Sequence, residues 1–120
     1  MTYFFDTSVL IEMIKGTPAF AELSEEEITT SILNLAELHY LLLRDFNKRT
    51  ADYWRRKLED AAFPVDSNLC FAAMELRLKH RARKLSFIDC LSYCTSQEHG
   101  RVFLTKDTGF RGFKNVRMMV

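Results

Sequence analysis

Thr2-Tyr3-Phe4-Phe5-Asp6-Thr7-Ser8-Val9-Leu10-Ile11 is the stretch on which the reading of this chain turns. The aromatic run Thr2–Phe5 predicts a short buried strand. One acid closes it, and a helix over Ser8–Lys15 follows, ended by Gly16 and Pro18. A strand that passes almost directly into a helix is the first half of a parallel crossover unit.

The alternation continues along the chain. A short helix is expected near Phe20–Ser24, a strand at Ile28–Thr30, and a helix over Leu33–Phe46 with Leu35, Leu38 and Leu42 on one face. An amphipathic helix over Lys48–Ala61, with Trp54 and Leu58 four apart, leads to a strand at Phe63–Val65. Helices over Asn68–Arg83 and Phe87–Glu98 follow, then a strand at Val102–Leu104, a turn at Thr108-Gly109 and a last strand near Val116–Met119. This order specifies an α/β fold with parallel crossovers and a sheet covered on both faces. With no internal repeat, low-complexity tract or Gly/Ser linker, residues 1–120 read as a single domain.

Composition narrows the class. The 120 residues are 48% hydrophobic and 28% charged, a globular balance in a chain long enough to bury a core without staples. No apolar run approaches the roughly 18 residues of a membrane helix, and no charged leader with a cleavage site opens the chain, so no export signal is expected. Cys70, Cys90 and Cys94 form no C-x-x-C pair. They read as packed thiols in a reducing cytoplasm rather than as a disulfide framework or zinc site. The net charge of +1 hides a split: residues 1–43 carry seven acids and one base, residues 44–120 sixteen bases and nine acids. That division suits an acidic, cation-loading pocket beside a surface that meets phosphates.

Four acids stand in apolar surroundings: Asp6 in Phe4-Phe5-Asp6-Thr7-Ser8, Glu37 in Asn34-Leu35-Ala36-Glu37-Leu38, Asp89 in Ser86-Phe87-Ile88-Asp89-Cys90, and Asp107 in Leu104-Thr105-Lys106-Asp107. Unpaired charge is costly there, and clustered carboxylates bind hard cations such as Mg²⁺. Three of the four have structural readings too. Asp6 suits a helix N-cap, Asp107 a turn, and Ser86-Phe87-Ile88-Asp89 a capping box. Glu37 has none: it lies mid-helix among apolar residues with no Lys or Arg within four positions, so a buried carboxylate recruited by a cation is expected. Asp6 and Asp107 both follow a strand, where open α/β sheets collect ligands. His39, His80 and His99 share no motif and read as packing or surface groups.

The four cassettes, in order and over nearly the whole length, resemble the PIN-domain nucleases, and most closely the short single-domain VapC-type toxins. Asp6-Thr7-Ser8-Val9-Leu10-Ile11 is similar to the first motif of that family, Thr29–Leu38 to the second, Leu85–Cys94 to the third and Val102–Phe110 to the fourth. Ile88 and Cys90 depart from the small alanines common in the third. The resemblance implies a three-layer α/β/α sandwich around a mainly parallel, five-stranded sheet. It also implies a Mg²⁺- or Mn²⁺-dependent ribonuclease with Asp6, Glu37, Asp89 and Asp107 as its acidic quartet, Asp6 and Asp107 holding the principal ion, and Ser8 and Thr105 in support. An antitoxin partner and a homodimer are implied as well, with Phe20, Leu23 and Trp54 as candidate docking contacts.

Two further readings accompany this one. The basic run Arg77, Lys79, Arg81, Arg83 and Lys84 suits a dipole-stabilised helix end and RNA backbone contact alike, and its closeness to Asp89 favours RNA. Phe110 and Phe113 could stack on bases, with core packing as the default. The alternative function is a non-catalytic protein whose acidic pocket binds a partner's basic segment. A phosphatase or phosphoacceptor domain would need a second Asp two positions after Asp6, where Ser8 stands.

Overall fold

The structure, a computed structural model, describes residues 2–119. Strand β1 (Tyr3–Phe5) runs into helix α1 (Thr7–Lys15), a 3-10 segment (Pro18–Glu25), β2 (Thr30–Ser31), α2 (Ile32–Asp45) and α3 (Lys48–Leu58). Then come β3 (Ala62–Phe63), α4 (Ser67–Lys79), a 3-10 turn (Arg81–Arg83), α5 (Phe87–Glu98), β4 (Val102–Thr105), a 3-10 turn (Thr108–Phe110) and β5 (Val116–Met118). All strand pairings are parallel, as the alternation of elements requires.

The five strands form two ladders rather than one continuous sheet: β1–β4–β5 and β2–β3. They meet through one backbone bond, Phe5 N–H to Thr29 O at 2.8 Å, and two side-chain bonds. The Thr29 hydroxyl donates to Tyr3 O at 2.6 Å and the Thr30 hydroxyl to Phe5 O at 2.8 Å. Two threonines thus satisfy β1 carbonyls that a regular ladder would meet with N–H groups. Across the layer the order is β3-β2-β1-β4-β5, so successive strands are added on one side of β1 as far as β3 and on its other side from β4 onward.

Strand alternation divides the core between two helical layers. Tyr3, Phe5 and Leu104 face Val9, Leu10, Leu35, Leu38 and Leu42 together with Phe20 and Leu23. Phe4 and Phe103 face Ala73, Leu85, Leu91 and Phe110 under α4 and α5. The outcome is the expected three-layer α/β/α sandwich. Among the described residues, no helix is long and apolar enough to cross a membrane.

Several expectations shift. Phe20 and Leu23 are buried, because the 3-10 segment folds back over α1, so neither offers a docking contact, and Trp54 packs partly against the same core. Phe110 lies fully buried among aromatic rings and is core. β3 stops at Phe63, since Pro64 has no N–H to continue a ladder. α4 ends at Lys79, not Arg83: the chain tightens to a 3-10 turn and Lys84 enters the left-handed region at φ 59°. Cys90 is buried, and burial pushes its thiol up to about 11.

Thr30→Val keeps the shape of the side chain while leaving Phe5 O without its hydroxyl donor. Urea unfolding should show a loss of about 1–2 kcal/mol, against no measurable change for the exposed Thr108→Val. Equal stability of the two variants would mean that the threonine bond does not join the ladders.

Candidate active site

Asp6 leaves the carboxyl end of β1 and caps α1, with 4% of its surface exposed. Four donors converge on it. Thr7 N–H and Asn34 Nδ2 reach Oδ1 at 3.0 and 3.3 Å, while the hydroxyls of Ser8 and Thr105 reach Oδ2 at 3.0 and 2.7 Å. Both hydroxyls also accept a backbone N–H from the loop after β4: Ser8 Oγ from Lys106 at 3.1 Å and Thr105 Oγ1 from Asp107 at 3.0 Å. The loop that carries Asp107 is therefore strapped to Asp6 by two side chains. Ser8 and Thr105 each bond to Asp6 and to the loop that follows β4.

Asp107 is half-buried and accepts the Gly109 N–H at 2.8 Å. Gly109 must remain small: a Cβ there would lie 2.7 Å from Leu85 Cδ2 and 3.0 Å from Asp107 Oδ1. Asp89, also half-buried, forms the expected capping box, accepting Ser86 N–H at 2.8 Å while its own N–H donates to Ser86 Oγ at 3.1 Å. Burial raises the Asp89 carboxyl above its ordinary range, and neighbouring Asp107 adds to the rise by charge and by a shared hydrogen bond. Glu37 is a correction. It is half-buried rather than buried, and among the described residues no hydrogen bond or ion pair engages its carboxylate. A helix face turned toward the rim, not the core, explains how an apolar stretch tolerates it.

The four acids share one field. Burial, helped by the charges of Asp89 and Glu37, pushes the Asp6 carboxyl up to about 7 against the opposing bonds from Thr105 and Ser8. Lys106, the base next to Asp107, turns away to pair with Glu12 at 3.5 Å. Among the described residues, no three His, Cys or acid side chains stand as a ready-made ligand cage, since Asp89 and Asp107 point at backbone N–H groups. The donor set nonetheless fits a hard divalent ion. All candidates are carboxylate oxygens, they repel one another, and the deepest is held near neutrality by burial rather than offset by a protein cation.

Asn34 is the residue that the sequence reading missed. Fully buried in the first turn of α2, it donates to Asp6 and to Thr7 Oγ1 at 3.1 Å, and its Oδ1 accepts from Ser31 Oγ and Ser92 Oγ. Ser31 caps α2 by accepting Asn34 N–H at 3.2 Å. The visible signal was Ser31-Ile32-Leu33-Asn34 itself, a poor helix former placed one turn before Glu37. His80 packs on Phe113, and His99 stacks on Phe63 with centroids 3.8 Å apart.

Strand order switches between β1 and β4, and Asp6 and Asp107 lie past the carboxyl ends of those two strands, where open α/β folds collect ligands. The PIN domain family matches residues 3–116, and the chain belongs to that family. Among solved structures, the fold is similar to VapC20 of Mycobacterium tuberculosis, described as a Sarcin-Ricin loop cleaving toxin. The identity is 23%, the TM-score 0.79, and 97% of this chain and 99% of that one are covered. It is also similar to a toxin–antitoxin complex from Klebsiella pneumoniae (18%, TM-score 0.77, 99% and 98% covered). A third is VapBC2 from Rickettsia felis, bound to a DNA fragment from its promoter (18%, TM-score 0.73, 98% and 97% covered). No curated protein matches the sequence.

The Asp6 carboxyl has a consequence for stability in chelator. Its folded value lies above the ordinary 3.8, so its contribution is whole below that value and is lost as pH rises through about 7. Unfolding free energy should fall by about 1 kcal/mol between about pH 6 and pH 8 from this group. Asp6→Asn, which can still cap α1, should flatten that slope; an unchanged slope in the variant would assign it to other groups.

Proposed function

We propose that this chain is a Mg²⁺- or Mn²⁺-dependent endoribonuclease and the toxin of a toxin–antitoxin pair. The observation that carries the reading is the convergence on Asp6 of elements from β1, α1, α2 and β4, with Asp89, Glu37 and Asp107 inside the same electrostatic field. Asp6 and Asp107 would hold the principal ion, with Glu37 and Asp89 completing its surroundings or holding a second. Such an ion, when bound, polarises a phosphate and lowers the pKa of water beside it. The protein's own part is to position and to move a proton. Ser8 and Thr105 fix both the rotamer of Asp6 and the loop of Asp107. Asp89 is half-buried and its carboxyl is raised by burial, which suits it to exchange a proton with the nucleophilic water.

The proposed substrate and antitoxin partner draw support from the family and from structural neighbours described as a toxin or a toxin–antitoxin complex. RNA as substrate places the protein in the cytoplasm, in keeping with three free thiols. A small antitoxin protein is the proposed regulator. A homodimer is proposed through α4, whose outer face exposes Phe71 at 74%, Met74 at 47% and Leu78 at 66%. The helix is capped by Asp66 at one end and carries Arg77 and Lys79 at the other, so two antiparallel copies would oppose both charges and dipoles.

Purified protein with Mn²⁺ should cut single-stranded RNA. Asp6→Asn and Asp107→Asn should lose cutting to the level of a no-protein control while unfolding cooperatively. Thr105→Val should lose about tenfold or more, the usual effect of removing a hydrogen-bond partner from a ligating carboxylate. RNA bound but uncut with either ion would instead favour an interaction protein. Sedimentation should show a dimer that Phe71→Glu converts to monomer; a monomeric parent would remove the α4 pairing.

A further inference from the structure

Of the five bases between residues 77 and 84, the structure separates three from two. Arg83 is committed to the fold. Its Nη1 donates to Gly109 O at 3.0 Å and Arg111 O at 2.7 Å, and its guanidinium lies 5.6 Å from the centre of the Phe113 ring. Lys79 lies outside the cleft that the others line. Arg77, Arg81 and Lys84, with Leu85, Ser86 and Asp89, enclose a cleft of about 490 Å³. Arg77 is oriented in it by a single bond, Nε to Leu85 O at 3.1 Å, which occupies only one edge of its donor fork.

Lys84 is placed there at a cost. It sits at φ 59° and ψ 37°, where a side chain with a Cβ is disfavoured and Gly or Asn would be easier. Its N–H closes the 3-10 turn on Arg81 O at 3.2 Å, so the turn brings Arg81 and Lys84 to one wall. Strain retained at an exposed position, in a residue whose charge faces a cleft, points to a ligand. Asp89 also lines this cleft and its charge acts on Asp6, so the cleft borders the acidic centre.

We propose that Arg77, Arg81 and Lys84 form a subsite for a backbone phosphate of the nucleic-acid strand, next to the phosphodiester presented to the four acids. The proposal rests on the nuclease reading for what lies in the acidic centre. The chemistry of the subsite itself is that of an anion: three cations face one carboxylate, and two of them are guanidiniums able to grip phosphate oxygens in pairs. Such contacts fix register along a strand without reading its sequence. Their function here is to hold the strand against the repulsion of the acids. An acidic centre alone would turn a polyanion away.

The test is binding of a fluorescein-labelled single-stranded RNA to the full chain in EDTA, by anisotropy over a range of NaCl concentrations. Lys84→Asn keeps a residue that tolerates the left-handed backbone and removes the charge. It should unfold at the same urea concentration as the parent or a higher one. Its affinity at low salt should fall about three- to tenfold, and the slope of log K against log salt should shrink by about 0.7, the value of one phosphate on a single strand. Arg81→Ala should do the same. Lys79→Ala, outside the cleft, should leave the slope unchanged. A slope unchanged in Lys84→Asn and Arg81→Ala, an equal effect of Lys79→Ala, or no RNA binding at all would overturn the subsite. Slope changes as expected in a protein that never cuts RNA would keep the subsite and remove the nuclease reading.

Discussion

Asp6 places a carboxylate where charge is expensive, and the fold is organised around meeting that expense. One oxygen takes Thr7 N–H and Asn34, the other takes Ser8 and Thr105, so strand β1, helices α1 and α2 and strand β4 are joined through a single group. Four donors lower the cost of the anion, yet burial and the neighbouring acids still lift its pKa to about 7. The hydrogen bonds fix geometry, and the electrostatics leave a demand for positive charge unmet. A structure built only for stability would place an apolar residue or a paired ion here.

The same bonds carry position outward. Ser8 and Thr105 each donate to Asp6 and accept from the loop of residues 106–107, so any shift of Asp6 is transmitted to Asp107. Asn34 extends the strap in the other direction: through Ser92 Oγ it reaches α5, the helix whose first turn carries Asp89. Glu37 follows Asn34 by less than one turn of α2. Each of the three outer acids is thus one short step from a residue that touches Asp6 or its network. That arrangement holds carboxylates together against their repulsion without requiring them to touch.

The strand–helix alternation was legible because its periods are local. The aromatic strand of residues 3–5, the Leu35–Leu38–Leu42 stripe and the capping box at Ser86 each lie within a few positions. The acids were legible because charge in apolar sequence is conspicuous. What escaped depends on partners far apart in the chain. Asn34 meets Ser92, 58 positions away, and no periodicity announces that bond. Phe20 and Leu23 read as exposed because a 3-10 segment hides its buried side from a helical count. The expected single sheet became two ladders because Thr29 and Thr30 bond through hydroxyls, and residue type alone does not show whether a threonine in a strand uses its backbone or its side chain.

The capping box of Asp89 is compatible with a further role in the acidic cluster, because only one of its oxygens is used by the cap. Its capping box is worth about 1 kcal/mol to α5, a modest hold. That hold fixes where the first turn of α5 begins, so the carboxylate stays beside Asp107 and within the field of Asp6. One oxygen accepts from Ser86 N–H; the other is not tied by the cap. Burial, with a smaller addition from Asp107, raises the affinity of the Asp89 carboxyl for a proton, and the Ser86 cap offsets only part of that rise. The balance leaves a group that is anchored by the cap, half-exposed, and raised in proton affinity by burial and by a neighbouring acid.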